Sequence, residues 1–511
     1  MEKPPRSRSQ SSKSRLPQIR SAHKFVTSDK VMNESFRLYK PNMMIQERDD
    51  EDSITFNNNL PAVKSESNTK YLIFRPILLN ERPPSQPNVG YMFKFLGGEV
   101  KLIRWLLEDN GFKEGKNNWL IGWSNTAMRS QIYQNLTPFQ KVNHFPRSHE
   151  ITKKDNLFKN ITKMQSLYGK RHYNFIPETY ILPNDSMRLS EEMDRDSESL
   201  WIIKPAAGSQ GRGIFLTNRI SDVPQAQAMV ASRYISNPLL INMLKFDLRI
   251  YIAVTSMDPL RIYIFKEGIA RFATEPYDLK NPRNRFVHLT NYSLNKYSPH
   301  FKDMNEDGKG YKWTLTALKG FLESQGVNFQ SIWEEIKDIA VKAIISIESV
   351  INSAMSMYVP SQKNCFELLG FDILIDNNLR PWLLEVNLSP SMNTETSVDL
   401  KIKSALISDL FNLIGIRKLE PRKRRNSNSS RPAWTSNCNS VILDNKKEQQ
   451  IIKETEAERT RLGNFECCFP CENAFHYKQF FDVDRANNSM LISHYTGNKK
   501  VGKKWRSTTR D

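Results

Sequence analysis

Asp372, Glu385 and Asn387 carry the most chemistry in their spacing. Asp372 sits in Phe371-Asp-Ile-Leu-Ile, and Glu385 and Asn387 close the run Pro381-Trp-Leu-Leu-Glu-Val-Asn. Both runs read as strands, joined by Asp376-Asn377-Asn378. Residues two apart on a strand share a face, so Glu385 and Asn387 do. In an antiparallel hairpin with an even loop, an even-numbered residue lines up with odd-numbered ones, and Asp372 joins that face. Three oxygen donors among Phe371, Ile373, Leu384 and Val386 suit Mg²⁺, which takes one or two carboxylates plus substrate phosphates. The bland alternative is a solvated sheet face. Against it, two carboxylates beside Trp382 repel one another unless a cation joins them.

A glycine loop could supply the phosphates. Residues 204–216 read Lys-Pro-Ala-Ala-Gly-Ser-Gln-Gly-Arg-Gly-Ile-Phe-Leu behind the apolar Trp201-Ile-Ile. No Gly-Lys-Ser/Thr follows, so this is not a Walker A loop, and a strand rather than a helix comes next. Such a loop can still fold its N–H groups over phosphates, with Lys204 as a point charge. A plain flexible hairpin remains the other reading. A third set, Lys245-Phe-Asp247-Leu-Arg249, puts three charges on one strand face. Cations at Lys204, Lys245, Arg249 and Arg271 near the oxygen donors of Asp372, Glu385 and Asn387 make an ATP site. No credible Ser/His or Cys/His pair is present, and Cys365 reads as core.

These residues need a scaffold. Of the 511 residues, 39% are hydrophobic, enough for a sizeable core. The net charge of +19 points to an acidic partner. Five cysteines, clustered at Cys467, Cys468 and Cys471, fit a reducing compartment better than a disulfide framework. Metal binding by those three, with His476, competes with a solvated reading. Without an apolar leader or a run of about 18 apolar residues, the chain is expected to be neither secreted nor membrane-spanning. Residues 1–66 read as disordered. From 67 to 150 a β-α-β alternation suggests a small α/β domain: a strand at Tyr71, a helix over 98–108, a strand at Trp119. Thr152 with Asp155, and Ser331 with Glu334, read as capping boxes opening helices. Strands dominate 201–300. An apolar stripe from Ile332 to about Tyr358 reads as a core helix, and a last helix covers about 399–413. The tail 417–511 reads as basic and mostly disordered, with one helix near 445–461. Seven Lys or Arg against Glu420 over 417–431 would make that stretch a linker, an import signal or a tether to an acidic surface.

The ordered series Lys204-Pro…Gln-Gly-Arg-Gly, Ser232-Arg-Tyr-Ile, Lys245-Phe-Asp-Leu-Arg, Arg271-Phe-Ala-Thr, His288-Leu-Thr-Asn-Tyr-Ser, Cys365-Phe-Glu-Leu-Leu-Gly-Phe-Asp and Trp382-Leu-Leu-Glu-Val-Asn-Leu-Ser-Pro-Ser resembles the tubulin–tyrosine ligase-like family over roughly 70–416, and within it the tubulin polyglutamylases. The resemblance implies an ATP-grasp fold over 151–416. It also implies ATP-dependent joining of glutamate to a γ-carboxylate of a tubulin tail through an acylphosphate. Lys204, Gln210, Gly211, Ser232, Arg233, Tyr234, Ile235, Lys245, Asp247, Thr290 and Asn291 would hold ATP. Arg249 would meet the phosphates, and Asp372, Glu385 and Asn387 would bind two Mg²⁺. Arg271, Tyr292, Ser293, Lys312 and Lys401 would hold free L-glutamate, with Gln210 and Leu388 flanking the acceptor. The implied setting is a cytoplasmic monomer at the cytoskeleton, cilium or basal body, acting on microtubules and not on nucleic acid or membrane. A tubulin glycylase, or a non-catalytic basic scaffold binding microtubules or nucleic acid, is the alternative. Three cations in the amino-acid pocket are more than glycine requires.

Overall fold

Apolar residues dominate 248–254 and 260–265, and the two longest strands form there. The computed structural model describes residues 71–77, 90–208, 211–301, 307–418 and 440–497. Strands β1 (Met92–Phe95), β2 (Lys113–Glu114), β3 (Ile121–Trp123) and β4 (Lys141–Val142) make a parallel sheet in the order β2-β1-β3-β4, with helix α1 (Lys101–Asp109) between β1 and β2. After α2 (Lys154–Tyr168), an antiparallel sheet combines β5 (Thr179–Leu182), β6 (Trp201–Pro205), β7 (Phe215–Thr217) and β8 (Met229–Arg233) in the order β5-β8-β6-β7, with α3 (Ser186–Arg195) following β5.

A seven-stranded sheet holds the rest. Its path is β12 (Lys312–Thr314), β11 (Leu260–Phe272), β10 (Leu244–Met257), β13 (Glu367–Ile375), β14 (Pro381–Asn387). Beside that path, β9 (Leu240–Ile241) pairs with β10, and β15 (Phe465–Phe469) pairs with β11. Every residue of β13 is buried, as expected of a strand covered on both faces. Alternate residues of β10 enter different cores. Ile250, Ile252 and Val254 pack with Ile344 and Ile347 of α4 (Phe329–Tyr358), whereas Tyr251 and Ala253 pack with Leu406 and Leu410 of α5 (Ser397–Ile414) and with Phe93 and Leu106 of the parallel sheet's layer. The mixed α/β class is therefore as expected. The N-terminal α/β unit shares its core with α5 instead of keeping one of its own.

Several expectations are corrected. Thr152 ends a one-turn helix and donates to Ser148 O, so α2 starts at Lys154, with Lys153 in the N-cap position and no side-chain cap. Helix α4 is capped by Asn328, whose side chain accepts from Ser331 N, because Asn328 stands three residues ahead of that amide. Tyr71 makes one isolated bridge, to Arg417, rather than a strand. The tail differs most. Helix α6 (Ser440–Arg459) covers the helix expected near 445–461, but β15 and α7 (Ala486–Tyr495) are ordered as well, with Phe465, Phe469 and Phe480 buried. Polar composition hid this, since β15 borrows the edge of β11 for its hydrogen bonds. Cys468 is buried, and among the described residues no group of three or more His, Cys, Asp or Glu is placed to hold a metal. Among the described residues one helix, α4, is long and apolar enough to cross a membrane, but 78% of its most apolar stretch is buried inside the fold. Residues 1–66 and most of the stretch 417–431 lie outside the described residues.

Candidate active site

The odd-numbered face of β10 that is apolar at Tyr251 and Ala253 turns charged at Arg249, Asp247 and Lys245. Neighbouring strands continue the charge in two rows. Lys312, Arg271 and Asp247 stand side by side across β12, β11 and β10. Arg249, Asp372 and Glu385 do the same across β10, β13 and β14. Opposite charges meet within these rows and between them. Arg249 Nε is 2.7 Å from Asp372 Oδ1, and its Nη2 is 3.2 Å from Oδ2. Arg271 Nη2 is 2.9 Å from Asp372 Oδ2, and Arg271 grips Asp247 through both Nε (2.9 Å) and Nη2. Burial alone would raise the Asp372 carboxyl, but Arg249 and Arg271 hold it well below the usual carboxylate range.

The pairing of Asp372 with Glu385 arises differently from the even loop expected. The last pair before the turn is Ile375 with Pro381, which leaves an odd loop, 376–380. That register alone would set Leu384 opposite Asp372. A bulge between Ile373 and Asp372 takes up Leu384 as an extra residue and restores Glu385 to the cleft face. Glu367, at the start of the same strand, accepts from Phe145 N at 2.9 Å and lies 2.5 Å from His144 Nδ1. The hairpin's base is thereby tied to the chain beyond β4.

Facing the carboxylates is a group of buried lysines. Lys204 lies at the end of β6, and burial lowers its pKa against the pull of Glu385. Lys245 Nζ donates to Tyr234 Oη and His288 O, both at 3.0 Å. Burial pushes Lys245 down to about 7, an effect Asp247 opposes and Lys204 reinforces. Lys154, the first residue of α2, reaches Glu385 Oε2 and Gly208 O, both at 3.1 Å. These groups, with Arg212, Ile202 and Leu289, line a solvent-open cleft of about 730 Å³. The glycine loop closes one side. Gly211 and Gly213 have φ of 71° and 68°, and a Cβ at Gly211 would come within 3.0 Å of Asn291 Oδ1.

The cleft thus gathers Lys204, Gly211, Lys245, Asp247, Thr290, Asn291, Asp372 and Glu385. Gln210 lies outside the described residues. Ser232, Arg233, Tyr234 and Ile235 do not line it. Ser232 Oγ is buried, accepting from Thr179. Arg233 points toward α3, paired with Glu192, Asp196 and Glu178 over the Trp201 ring. Tyr234 instead supports Lys245 from behind. At the outer end of the first row Lys312 Nζ lies 2.8 Å from Asp399 Oδ2 and 3.5 Å from the centre of the Tyr292 ring, while Ser293 and Leu388 are half-buried and Lys401 is exposed on α5. Arg271 and Lys312 already face carboxylates, so counting cations overstates the pocket's positive charge.

Lys154 was missed by motif reading. One signal was available: a lysine in the first turn of a helix opposes the macrodipole and needs another reason to be there. Asp372 and Glu385, opposed across the hairpin, fit a Mg²⁺ ion held by two carboxylates and completed by phosphate oxygens. Asn387 Nδ2 donates to Gly370 O at 3.2 Å, so a cation there would have the side-chain carbonyl oxygen of Asn387 to bind.

Residues 131–428, more than half of the chain, match the Tubulin-tyrosine ligase family. Over 352 residues the chain is 41% identical to tubulin polyglutamylase TTLL5 of Mus musculus, an alignment covering 67% of this chain and 26% of that protein. It is 35% identical over 495 residues to tubulin monoglutamylase TTLL4 of Homo sapiens, covering 84% and 41%. It is 35% identical over 440 residues to tubulin polyglutamylase ttll-5 of Caenorhabditis elegans, covering 74% and 60%. The chain therefore spans from about a quarter to about three-fifths of the length of these relatives.

Proposed function

The chain belongs to the tubulin–tyrosine ligase family, and from that premise we propose that it is an ATP-dependent carboxylate–amine ligase that adds glutamate to glutamates of tubulin tails. One observation carries the reading: buried Lys154, Lys204 and Lys245 face Asp372 and Glu385 across a single cleft. That is the charge pattern a nucleotide triphosphate with its cation requires.

In the proposed reaction, a γ-carboxylate oxygen of the tail attacks the ATP γ-phosphorus and ADP leaves. The deprotonated amine of free glutamate then attacks the acyl carbon, the C–N bond forms, and phosphate departs. Lys154, Lys204, Lys245 and Arg249 would draw charge from the phosphates. Magnesium bound at Asp372, Glu385 and Asn387 would supply further neutralisation of the transferring phosphoryl group. Arg271, beside that centre, and Lys312, one strand further out, would orient the incoming amino acid. A tubulin substrate would place the protein in the cytoplasm at microtubules, a cilium or a basal body.

The test is mass spectrometry of tubulin tails after incubation with the protein, ATP, Mg²⁺ and isotope-labelled glutamate, with labelled glycine in parallel. Labelled glutamate on tail glutamates is the expected result. Glycine alone on the tails would identify a glycylase, and no label would sink the ligase reading.

A further inference from the structure

Helix α5 begins with a charge arrangement that the reaction above leaves unused. Asp399 is 1% exposed, yet its two oxygens meet two ammonium groups: Lys312 Nζ at 2.8 Å on Oδ2 and Lys403 Nζ at 2.8 Å on Oδ1. Lys403 is also buried and donates to Asn393 O. It is thus the fixed counter-ion of Asp399. Lys312 is placed differently. It stands opposite Arg271 across the β11–β12 pair, and like charges directly opposite repel. Its ammonium also lies against the Tyr292 ring. Asp399 is the carboxylate that its ammonium reaches. Burial would raise the Asp399 carboxyl, but Lys403 and Lys312 hold it below its ordinary range, so it stays ionised.

Building on the glutamate-ligase reading, we propose that Asp399 is a positioning residue for the amino-acid pocket. It aims Lys312 so that the Lys312 ammonium meets one carboxylate of the incoming amino acid, beside Arg271, whose guanidinium is already shared between Asp247 and Asp372. Asp399 also accepts from Thr396 Oγ1, and its own amide donates to Thr396 Oγ1 at the start of α5. A purely structural role in that cap has to be separated from the positioning role.

The experiment measures KM for glutamate and for ATP in the full chain with tubulin, for wild type, Asp399→Asn, Asp399→Glu and Thr396→Ala. Loss of one charge-assisted contact predicts a roughly ten- to hundredfold rise in the glutamate KM of Asp399→Asn, with the ATP KM within about twofold of wild type. Asp399→Glu should recover part of the loss. Thr396→Ala should lower Tm and leave the glutamate KM unchanged. Equal rises in both KM values for Asp399→Asn, no rise at all, or a Thr396→Ala variant that reproduces the glutamate defect would each overturn the positioning role alone. A wild type that joins no glutamate overturns the function reading and this role with it. If Asp399→Asn fails to fold, purified Asp399→Glu replaces it: a displaced carboxylate should raise the glutamate KM selectively, by less than Asp399→Asn would, and an unchanged value overturns the role.

Discussion

Lys245 offers the sharpest test of the cleft, because its charge changes near neutral pH. Its ammonium is buried, held by Tyr234 Oη and His288 O, and titrates at about 7. An ordinary lysine titrates near 10.4. The sign follows directly. Below about 7 the free protein carries the cation, and above it the amine is neutral. An anionic nucleotide favours the charged form, so binding at higher pH must draw a proton from solution. If the bound ammonium returns toward its ordinary range, uptake is about 0.1 proton at pH 6 and about 0.9 at pH 8. Affinity should weaken about tenfold over the same span. Lys204, lowered in the same direction by burial, steepens the trend, while Asp247 works against it. Calorimetric titration of a non-hydrolysable ATP analogue, in buffers of different ionisation enthalpy, counts the protons. Lys245→Gln should remove most of the uptake at pH 8. Uptake near zero in wild type, or unchanged in Lys245→Gln, refutes the placement of Lys245 against the nucleotide.

Other outcomes are equally specific. Glu385→Gln should abolish ligation at unchanged Tm, since it keeps the shape and removes a ligand charge; near-normal turnover would contradict the metal role. From the sequence, Arg271→Ala is expected to raise the glutamate KM far more than the ATP KM. In the structure it also strands the Asp247 carboxylate and leaves Asp372 with Arg249 alone, so a loss of about 3–5 kcal/mol in unfolding free energy is expected from denaturant titration. A stable variant with only a glutamate defect would show that the pairing is wrong. Ending the chain at Ile416 removes β15 from β11 together with buried Phe465, Phe469 and Phe480. The product should be insoluble, and a soluble, cooperatively melting fragment would refute that packing. A tether at 417–431 is therefore better tested by neutralising its Lys and Arg within the full chain.

The sequence by itself determined which residue types meet and on which strands they ride. Alternation in Lys245-Phe-Asp247-Leu-Arg249 is a local property with period two, so the shared face could be read without a fold. The apolar stripe of α4 was legible for the same reason, as its residues repeat at helical spacing. The hairpin face was reached by a different route from the one inferred. An odd loop and a bulge at Leu384 compensate each other, and no local pattern announces either. Tertiary structure alone decided partners distant in sequence. Lys154 meets Glu385 because α2 packs beside β14. Lys312 meets Asp399 because the start of α5 reaches β12. Arg233, read as part of the ATP set, turns to α3 because alternation on β8 aims it at Glu192. The tail's order was hidden because β15 contributes one edge strand whose hydrogen bonds and apolar cover are supplied by β11 and α4, from elements more than a hundred residues away. Composition reports what a segment can bury alone, and a strand of this kind buries nothing until its partner is present.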